Sequence, residues 1–208
     1  VTLPINKINS QSKKFKFPGH TEYLQNIFDV RDTIMIMHSK EMTIGFITSH
    51  IPLRKVKSSI NSKHIQSKIL TFISSLETDF NINNPRIAVL GLNPHCGESG
   101  LLGNEEVKII IPTIKKLNNI NKNLHGPFPA DSFFGMKKYK NFDGIISFYH
   151  DQGLIGFKSA SFQNGVNYTA GLPYVRTSPD HGTAFEISGK NKANEISLTE
   201  SIYLNIEI

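Results

Sequence analysis

Three histidines of this sequence each follow a short run of apolar and β-branched residues. His50, His95 and His150 come two or three residues after such runs, which are typical of buried strands. In an open α/β sheet the carboxyl ends of parallel strands form the edge where ligands bind, so the three imidazoles are expected to converge. Three neutral imidazoles that leave a fourth position open suit a catalytic divalent metal such as Zn²⁺. Such a site also activates water, so a metallohydrolase is the alternative to an enzyme whose metal polarises a substrate oxygen.

The loop that carries His95 is rich in glycine. Residues 93–103 contain three glycines and lead into a segment with two adjacent glutamates. Glycines allow backbone amides to approach an anion, so the loop is either a phosphate cradle or a tight turn beside a metal ligand. Cys96 has no suitably spaced base, and a packed thiol is expected there rather than a nucleophile. His38 and His64 have no comparable placement, and both are expected to be structural or exposed.

Further polar residues have types that suit ligand binding. Lys158, Asn167 and Arg176 lie in segments rich in glycine and aromatic residues, where a loop can present them to a ligand. The guanidinium of Arg176 can hold a phosphate or carboxylate through two parallel hydrogen bonds, and a surface ion pair is the competing interpretation. Four interpretations remain for Asp131 and Asp151. Each can support a metal site, bind an amine, cap a helix or simply lie in a turn.

The first half of the chain alternates between strand and helix patterns. Residues 33–37 and 43–48 are two β-branched runs whose spacing predicts a hairpin. Apolar residues at spacings of three and four predict a helix over 61–80, with one face on a sheet. The continuous apolar run 86–92 predicts a strand that is covered on both faces.

The second half continues this alternation. Residues 105–117 predict a helix that Pro112 kinks, and 144–148 predict another buried strand. The glycine-rich region 153–179 is interpreted as strands and loops, and 197–206 as a last helix. Alternating strands and helices predict an α/β protein, layered α/β/α, with a mixed and largely parallel sheet.

The composition is that of a globular protein and excludes several classes. The 208 residues are 38% hydrophobic and 19% charged, and no apolar run approaches the roughly 18 residues that span a bilayer. The formal net charge of +6 comes mainly from scattered lysines, so no nucleic-acid partner is expected. One cysteine fits a reducing compartment, and we expect a cytoplasmic protein. The chain lacks an initiator methionine and its first residues resemble the end of a buried strand, which predicts a fragment incomplete at its N-terminus.

Six segments occur in an order that is typical of one enzyme family. They are 19–22 (GHTE), 91–98 (GLNPHCGE), 126–131 (GPFPAD), 149–153 (YHDQG), 165–167 (GVN) and 176–184 (RTSPDHGTA). Through these segments the chain resembles the 4-hydroxythreonine-4-phosphate dehydrogenases of pyridoxal phosphate biosynthesis. The resemblance covers essentially the whole chain but only about the C-terminal two thirds of the family's usual length.

The resemblance implies a reaction and its cofactors. The family oxidises 4-phosphooxy-L-threonine with NAD and a divalent metal (Zn, Mg or Co), and the product 2-amino-3-oxo-4-phosphooxybutanoate loses CO₂ to give 3-amino-2-oxopropyl phosphate. Its active site lies at a homodimer interface, so the ligands of one metal need not come from one subunit. The implied fold is that of isocitrate and isopropylmalate dehydrogenases. An inactive truncated remnant that binds phosphorylated ligands is the non-enzymatic alternative.

The resemblance also implies roles for individual residues. The implied metal ligands are His50, His95 and His150; the substrate contacts are His20, Thr21, Lys158, Asn167 and Arg176; and two aspartates that maintain the site are Asp131 and Asp151. A shorter resemblance to the adenosine-binding loop of isocitrate and isopropylmalate dehydrogenases implies cofactor contacts at His181, Gly182, Thr183 and Asn194. Lys7 is a candidate proton acceptor. An approximate division places a substrate and dimerisation part at 1–90 and a metal- and cofactor-binding part at 91–208.

Overall fold

The computed structural model describes residues 1–6, 9–12, 15–17, 19–30, 32–120 and 122–208. Its strands are β1 (Ile34–His38), β2 (Thr43–Phe46), β3 (Ile87–Leu90), β4 (Leu124–Phe128), β5 (Gly144–Ser147), β6 (Val166–Ala170) and β7 (Thr177–Pro179). Its helices are α1 (His20–Ile27), α2 (Leu53–Ser59), α3 (Ser62–Thr78), α4 (Ile111–Asn118), α5 (Ala130–Gly135), α6 (His150–Ser161) and α7 (Ile196–Glu207).

All these strands form one mixed sheet in the order β4-β3-β5-β2-β1-β6-β7. Strands β4, β3, β5 and β2 are parallel neighbours, whereas β1 pairs antiparallel with β2 and β6, and β7 pairs antiparallel with β6. The predicted hairpin is therefore β1–β2. Since β3, β5 and β2 are adjacent and parallel, their carboxyl ends meet at one edge, and the segments that carry His95, His150 and His50 leave from that edge in this order.

Helices cover both faces of the sheet, and the predicted layered α/β class is confirmed. On one face, Ile69 and Phe72 of α3 and Ile114 of α4 pack into a core in which these side chains are at most 6% exposed. On the other face, Phe133 of α5 and Phe157 of α6 are completely buried. The helix predicted over 61–80 is α3, and the side chain of Asn61 caps its first turn.

The prediction of strands and loops over 153–179 is wrong for its first part, which belongs to α6. Glycine in this segment suggests a loop from the sequence alone, but in the structure it allows close packing. A β-carbon at Gly153 would lie 2.6 Å from the ring of Phe46, and one at Gly156 would lie 2.5 Å from the ring of Phe134. The two glycines therefore let α6 lie close to the sheet and to α5, at an intrinsic cost in helix propensity of about 1 kcal/mol each.

The helix predicted over 105–117 is present, but its first part is a π-helical turn over residues 106–110 that continues directly into α4, where Pro112 lies in the first turn. A kink at Pro112 stays a prediction. The expectation for the N-terminus needs correction. The first six residues do not form a strand. Thr2 donates one backbone hydrogen bond to the carbonyl of Thr177, and Val1 is half exposed.

Strands from before and after residue 90 are interleaved in this single sheet, and the division into 1–90 and 91–208 stays a prediction. Within the described ranges, none of the helices is both long enough and apolar enough to cross a membrane.

Candidate active site

A cleft of about 300 Å³ lies between the start of α1, strands β6 and β7, and the segment that follows β2. Eight residues that the sequence singles out as substrate, metal or cofactor contacts line it: His20, Thr21, His50, Asn167, Arg176, His181, Gly182 and Thr183. These residues come from four separate stretches of the chain. The fold therefore brings most of the expected contacts to one concave surface, and we call this space the main cleft.

Arg176 supplies the positive charge of the main cleft. Its Nη1 donates to Thr169 Oγ1 at 2.9 Å, and its Nε and Nη2 donate to Thr2 Oγ1 at 3.0 and 2.8 Å. Burial lowers the pKa of Arg176, and the charge of Glu22 opposes this shift. No carboxylate of the described residues forms an ion pair with Arg176, so the surface ion pair that was the competing interpretation is not seen there. The guanidinium is oriented by two hydroxyls and keeps its charge for an anion.

His20 and Asn167 add uncharged polar groups to the main cleft. Burial, and then the charge of Arg176, lower the pKa of His20 below 6.5, so its imidazole is mainly neutral at pH 7. The side-chain oxygen Oδ1 of Asn167 is buried and has no hydrogen-bond partner among the described residues. A buried acceptor without a partner is costly, and a ligand donor in the cleft would satisfy it.

His50 and His150 form a pair in which the donor set fits a divalent metal. Their ring centres lie 5.4 Å apart. Two imidazoles on one tetrahedral ion, with metal–nitrogen bonds of about 2.0–2.1 Å, have ring centres about 5 Å apart. His150 Nδ1 lies 2.6 Å from Asp151 Oδ1. This carboxylate–histidine contact leaves Nε2 as the ligand atom and is the usual support of a metal-bound imidazole.

His95 is not part of this pair within one chain. It is exposed, and residues 95–99 all have left-handed backbone angles, with φ between 43° and 76°. In the part of the chain that the structure describes, no three His, Cys, Asp or Glu side chains are close enough to hold a metal together. The sequence pattern therefore places the three strand ends side by side correctly but does not anticipate the left-handed turn on which His95 lies.

A buried carboxylate that sequence reasoning missed holds this left-handed turn. Glu106 is fully buried; its Oε1 accepts from the backbone amides of Leu92 and Asn93 at 2.8 Å each, and its Oε2 accepts from Asn93 Nδ2 at 2.9 Å. From the sequence, Glu106 is one of two acids in a first helical turn, which suggests only a favourable charge for the helix dipole. Three amides of the loop donate to carbonyls of the same loop, which favours the tight turn over a phosphate cradle.

Cys96 behaves as the packed thiol that the sequence predicts. Burial, helped by the negative charges of Glu106 and Asp131, raises its pKa to about 11. The thiol is therefore protonated at neutral pH and is a poor nucleophile.

Lys158 and Asn194 line a neighbouring cleft of about 310 Å³ rather than the main cleft, and His181 lines both. Lys158 Nζ lies 3.4 Å from Asp180 Oδ1. Asp180 was not singled out from the sequence. Burial raises the pKa of its carboxyl group, the charge of Lys158 lowers it, and its Oδ2 has no partner among the described residues. The expected cofactor residues are thus distributed over two adjoining clefts.

Asp131 and Asp151 are exposed and line a larger cleft of about 710 Å³ beside α5 and α6. Asp151 contacts His150, and Asp131 makes no side-chain cap in α5. His38 and His64 have structural partners, Thr43 Oγ1 at 2.9 Å and the carbonyl of Ile47 at 3.1 Å. Lys7, the candidate proton acceptor, lies outside the described residues.

Comparison with known proteins identifies the family. A family model described as Pyridoxal phosphate biosynthetic protein PdxA matches residues 1–205. The 4-hydroxythreonine-4-phosphate dehydrogenases of Bacteroides thetaiotaomicron and Sulfurihydrogenibium are 48% and 41% identical over 100% and 99% of this chain, and 57% and 63% of their own lengths. The crystal structure of the 4-hydroxythreonine-4-phosphate dehydrogenase from Klebsiella pneumoniae matches with a TM-score of 0.87 at 38% identity, over 98% of this chain and 61% of that one.

This chain therefore spans about 60% of the length of the relatives that it matches. Within that span the similarity is continuous and includes all six segments from which the resemblance was recognised. The chain belongs to the family of the pyridoxal phosphate biosynthetic protein PdxA.

Proposed function

We propose that the complete protein oxidises 4-phosphooxy-L-threonine with NAD in the presence of a divalent metal, in the biosynthesis of pyridoxal phosphate. The product, 2-amino-3-oxo-4-phosphooxybutanoate, then loses CO₂ to give 3-amino-2-oxopropyl phosphate. The observation that carries this proposal is the main cleft, in which expected substrate, metal and cofactor contacts lie together. Family membership and the dehydrogenase names of the relatives support it. The cytoplasmic location stays a prediction.

The residues of the cleft have distinct roles in this proposal. Arg176 binds the phosphate, with Lys158 beside the adjoining cleft as a second cation. Thr21 and the neutral imidazole of His20 supply hydrogen bonds along the substrate. Residues 181–183, with Asn194, accept the nicotinamide cofactor at the border of the two clefts.

His50 and His150 hold the metal, and Asp151 orients His150 through its Nδ1. When bound, NAD accepts the hydride, and the metal acts as a Lewis acid towards the substrate oxygen. We infer that His95 of a second copy completes the metal site, because His95 is exposed and the described residues of one chain contain no group of three side chains that could hold a metal. A homodimer with its active site at the interface is thus part of the proposal.

The proposal is tested by following NADH formation by the complete protein with 4-phosphooxy-L-threonine and added Zn²⁺, Mg²⁺ or Co²⁺. We expect NADH and CO₂ in equal amounts, abolished by a metal chelator and reduced at least tenfold by His150→Ala or Arg176→Met. A hydrolytic product without NAD consumption would overturn the proposal in favour of a metallohydrolase. Substrate binding in calorimetry without turnover and without metal binding would instead indicate an inactive remnant.

A further inference from the structure

A side-chain bridge joins helix α2 to the left-handed turn that follows β3. Its centre is Glu105, whose side chain is 9% exposed. The Oε1 atom of Glu105 lies 2.8 Å from Nζ of Lys57 in α2, and its Oε2 atom accepts a hydrogen bond from Nδ2 of Asn93 at 2.8 Å. The two oxygens of one carboxylate therefore contact two separate stretches of the chain. We call the contacts of Glu105 with Lys57 and Asn93 the Glu105 bridge.

Both of these stretches carry an expected metal ligand. Helix α2 begins three residues after His50, and Asn93 lies two residues before His95. The Glu105 bridge therefore fixes the position of one ligand-bearing segment relative to the other. In the proposed dimer the two segments of one chain serve different metal sites, so a fixed spacing between them allows two copies to complete both sites together.

The orientation of Asn93 is set by two carboxylates. Its Nδ2 donates to Glu106 Oε2 at 2.9 Å as well as to Glu105, and these two bonds use both hydrogens of the amide group. Hydrogen bonds to a charged acceptor are the stronger kind. The lack of a side chain at Gly103 makes room for them, since a β-carbon there would clash with Asn93 Nδ2 and lie 2.8 Å from Glu105 Oε2.

The two charges of the Glu105 bridge stabilise each other. The hydrogen bond with Lys57, and then that with Asn93, lower the pKa of Glu105 to about 2, and the same carboxylate raises the pKa of Lys57. Both groups are therefore charged at neutral pH. Lys57 is 78% exposed, and ion pairs with a solvated partner contribute little to the stability of a fold. Their positional effect on the two segments that they join is a separate matter.

We infer that Glu105 is a positioning residue of the metal site: through Lys57 and Asn93 it holds the turn that carries His95 at a fixed distance from the segment that carries His50. This inference rests on the proposed function, of which the metal site is a part. Position and charge predict opposite effects for one variant. Loss of the Lys57 cation should by charge alone strengthen the binding of a metal cation, because like charges repel, whereas loss of the bridge should weaken it.

The first test measures the dissociation constant of Co²⁺ by calorimetry on the complete protein. Lys57→Met should weaken Co²⁺ binding at least threefold and Glu105→Gln at least tenfold. The double variant should lose no more than Glu105→Gln alone, because both changes break the same bridge. Lys57→Arg keeps the ion pair and should bind Co²⁺ as the wild type does. Lys55→Met, which removes an exposed lysine of the same helix, is the matched control and should not weaken binding.

Hydrogen exchange of the metal-free protein gives a second readout that does not depend on the metal. The backbone amides of Cys96 and Leu102 donate to carbonyls of the turn, and Glu105→Gln should accelerate their exchange. The amides of β5 should exchange as in the wild type, which would separate a local change from a general loss of stability. If Glu105→Gln does not fold, Lys57→Met still decides, since it changes an exposed side chain.

Co²⁺ binding by Lys57→Met that is unchanged or tighter would overturn the inference. Additive losses in the double variant, or unchanged exchange in the turn of Glu105→Gln, would also overturn it. A wild type that binds no Co²⁺ would overturn the metal-dependent function and this inference with it. Variants that bind Co²⁺ as the wild type does would contradict only the role of Glu105, so the two failures are distinguishable.

Discussion

At the scale of single residues, the site contains polar groups that lack an ion-pair or hydrogen-bond partner among the described residues. Arg176 is held by two hydroxyls without an ion pair among the described residues, and Asn167 Oδ1 is buried without a partner. Proteins rarely keep such groups inside unless a ligand compensates them, because desolvation costs about 1–3 kcal/mol for each unsatisfied group. Burial and neighbouring charge also change the protonation of histidines, and two predictions follow from this.

The pKa of His20 should rise when Arg176 loses its charge. Burial is the larger cause of the lowered pKa and Arg176 the smaller one, so Arg176→Met should move the pKa part of the way back towards 6.5. An NMR titration of the imidazole protons measures this shift. His125, whose pKa is lowered by burial and by Arg86, serves as the internal control and should not change. An unchanged His20 in the variant would show that the two groups do not interact.

The stability of the fold should decrease as the pH falls below 6.5, in a way that depends on His38. Burial lowers the pKa of His38 to about 4, so the folded state keeps it neutral while the unfolded state takes up a proton below pH 6.5. The free energy of unfolding should therefore fall between pH 6.5 and about 4, by up to about 1.4 kcal/mol per pH unit from this one group. His38→Phe keeps a ring against Phe80 and removes this contribution.

Urea denaturation of the wild type and of His38→Phe at several pH values measures the difference. Above pH 6.5 the difference in unfolding free energy between the two proteins should be constant. Below it, the wild type should lose stability faster than the variant. Parallel curves down to pH 4 would contradict the assignment of this loss to His38.

At the scale of elements, backbone geometry rather than residue type decides where the site residues lie. The turn after β3 is left-handed over residues 95–99, although such angles cost roughly 1–2 kcal/mol per residue that is not glycine. The buried carboxylate of Glu106 accepts hydrogen bonds from the backbone where the turn begins, and the surroundings of Gly97 leave no room for a side chain. The turn sets the position of His95, so we expect its disruption to affect both stability and metal binding.

Gly97→Ala should destabilise the protein by about 2 kcal/mol or more. Its φ is +76°, and a β-carbon would lie 2.6 Å from the carbonyl oxygen of Gly103 and 2.7 Å from Glu106 Oε2. Gly135→Ala is the matched control, because no heavy atom lies within 4 Å of the added carbon, and it should be neutral or stabilise α5 by up to about 1 kcal/mol. Chemical denaturation measures both variants. Equal effects would show that the left-handed turn tolerates a side chain.

At the scale of the whole molecule, the sheet aligns three histidine-bearing strand ends, yet one copy pairs only two of the rings. A two-fold dimer would bring three rings to each metal site, since each copy would supply His50 and His150 to one site and His95 to the other. The strands of residues 1–90 and 91–208 are interleaved in one sheet, and His50 from the first part lies beside His150 from the second, so both parts of the chain would contribute to each such site.

Mixed dimers of two inactive variants should regain metal sites. A dimer of one His50→Ala copy and one His95→Ala copy keeps one complete site, so random mixing should restore about a quarter of the wild-type sites. Metal content and NADH formation after co-expression measure this recovery. Mixing His50→Ala with His150→Ala is the control and should restore none, because both changes affect the same half of the site. Mixed dimers of the first pair without recovered sites would show that His50 and His95 of one site come from the same copy.

The sequence by itself determined the class of fold, the hairpin, the long helix α3 and the three strand ends with their histidines. These features follow from local periodicity, which the burial of one face imposes on a strand or a helix. The six family segments likewise determined the family. Local sequence patterns do not specify contacts between distant segments, so only the tertiary structure decided that Gly153 and Gly156 lie in a packed helix and that Glu106 contacts the left-handed turn. It also decided that the rings of His50 and His150 lie together while His95 is exposed on a left-handed turn, because the conformation of that turn depends on a contact with a carboxylate 11 residues further along the chain.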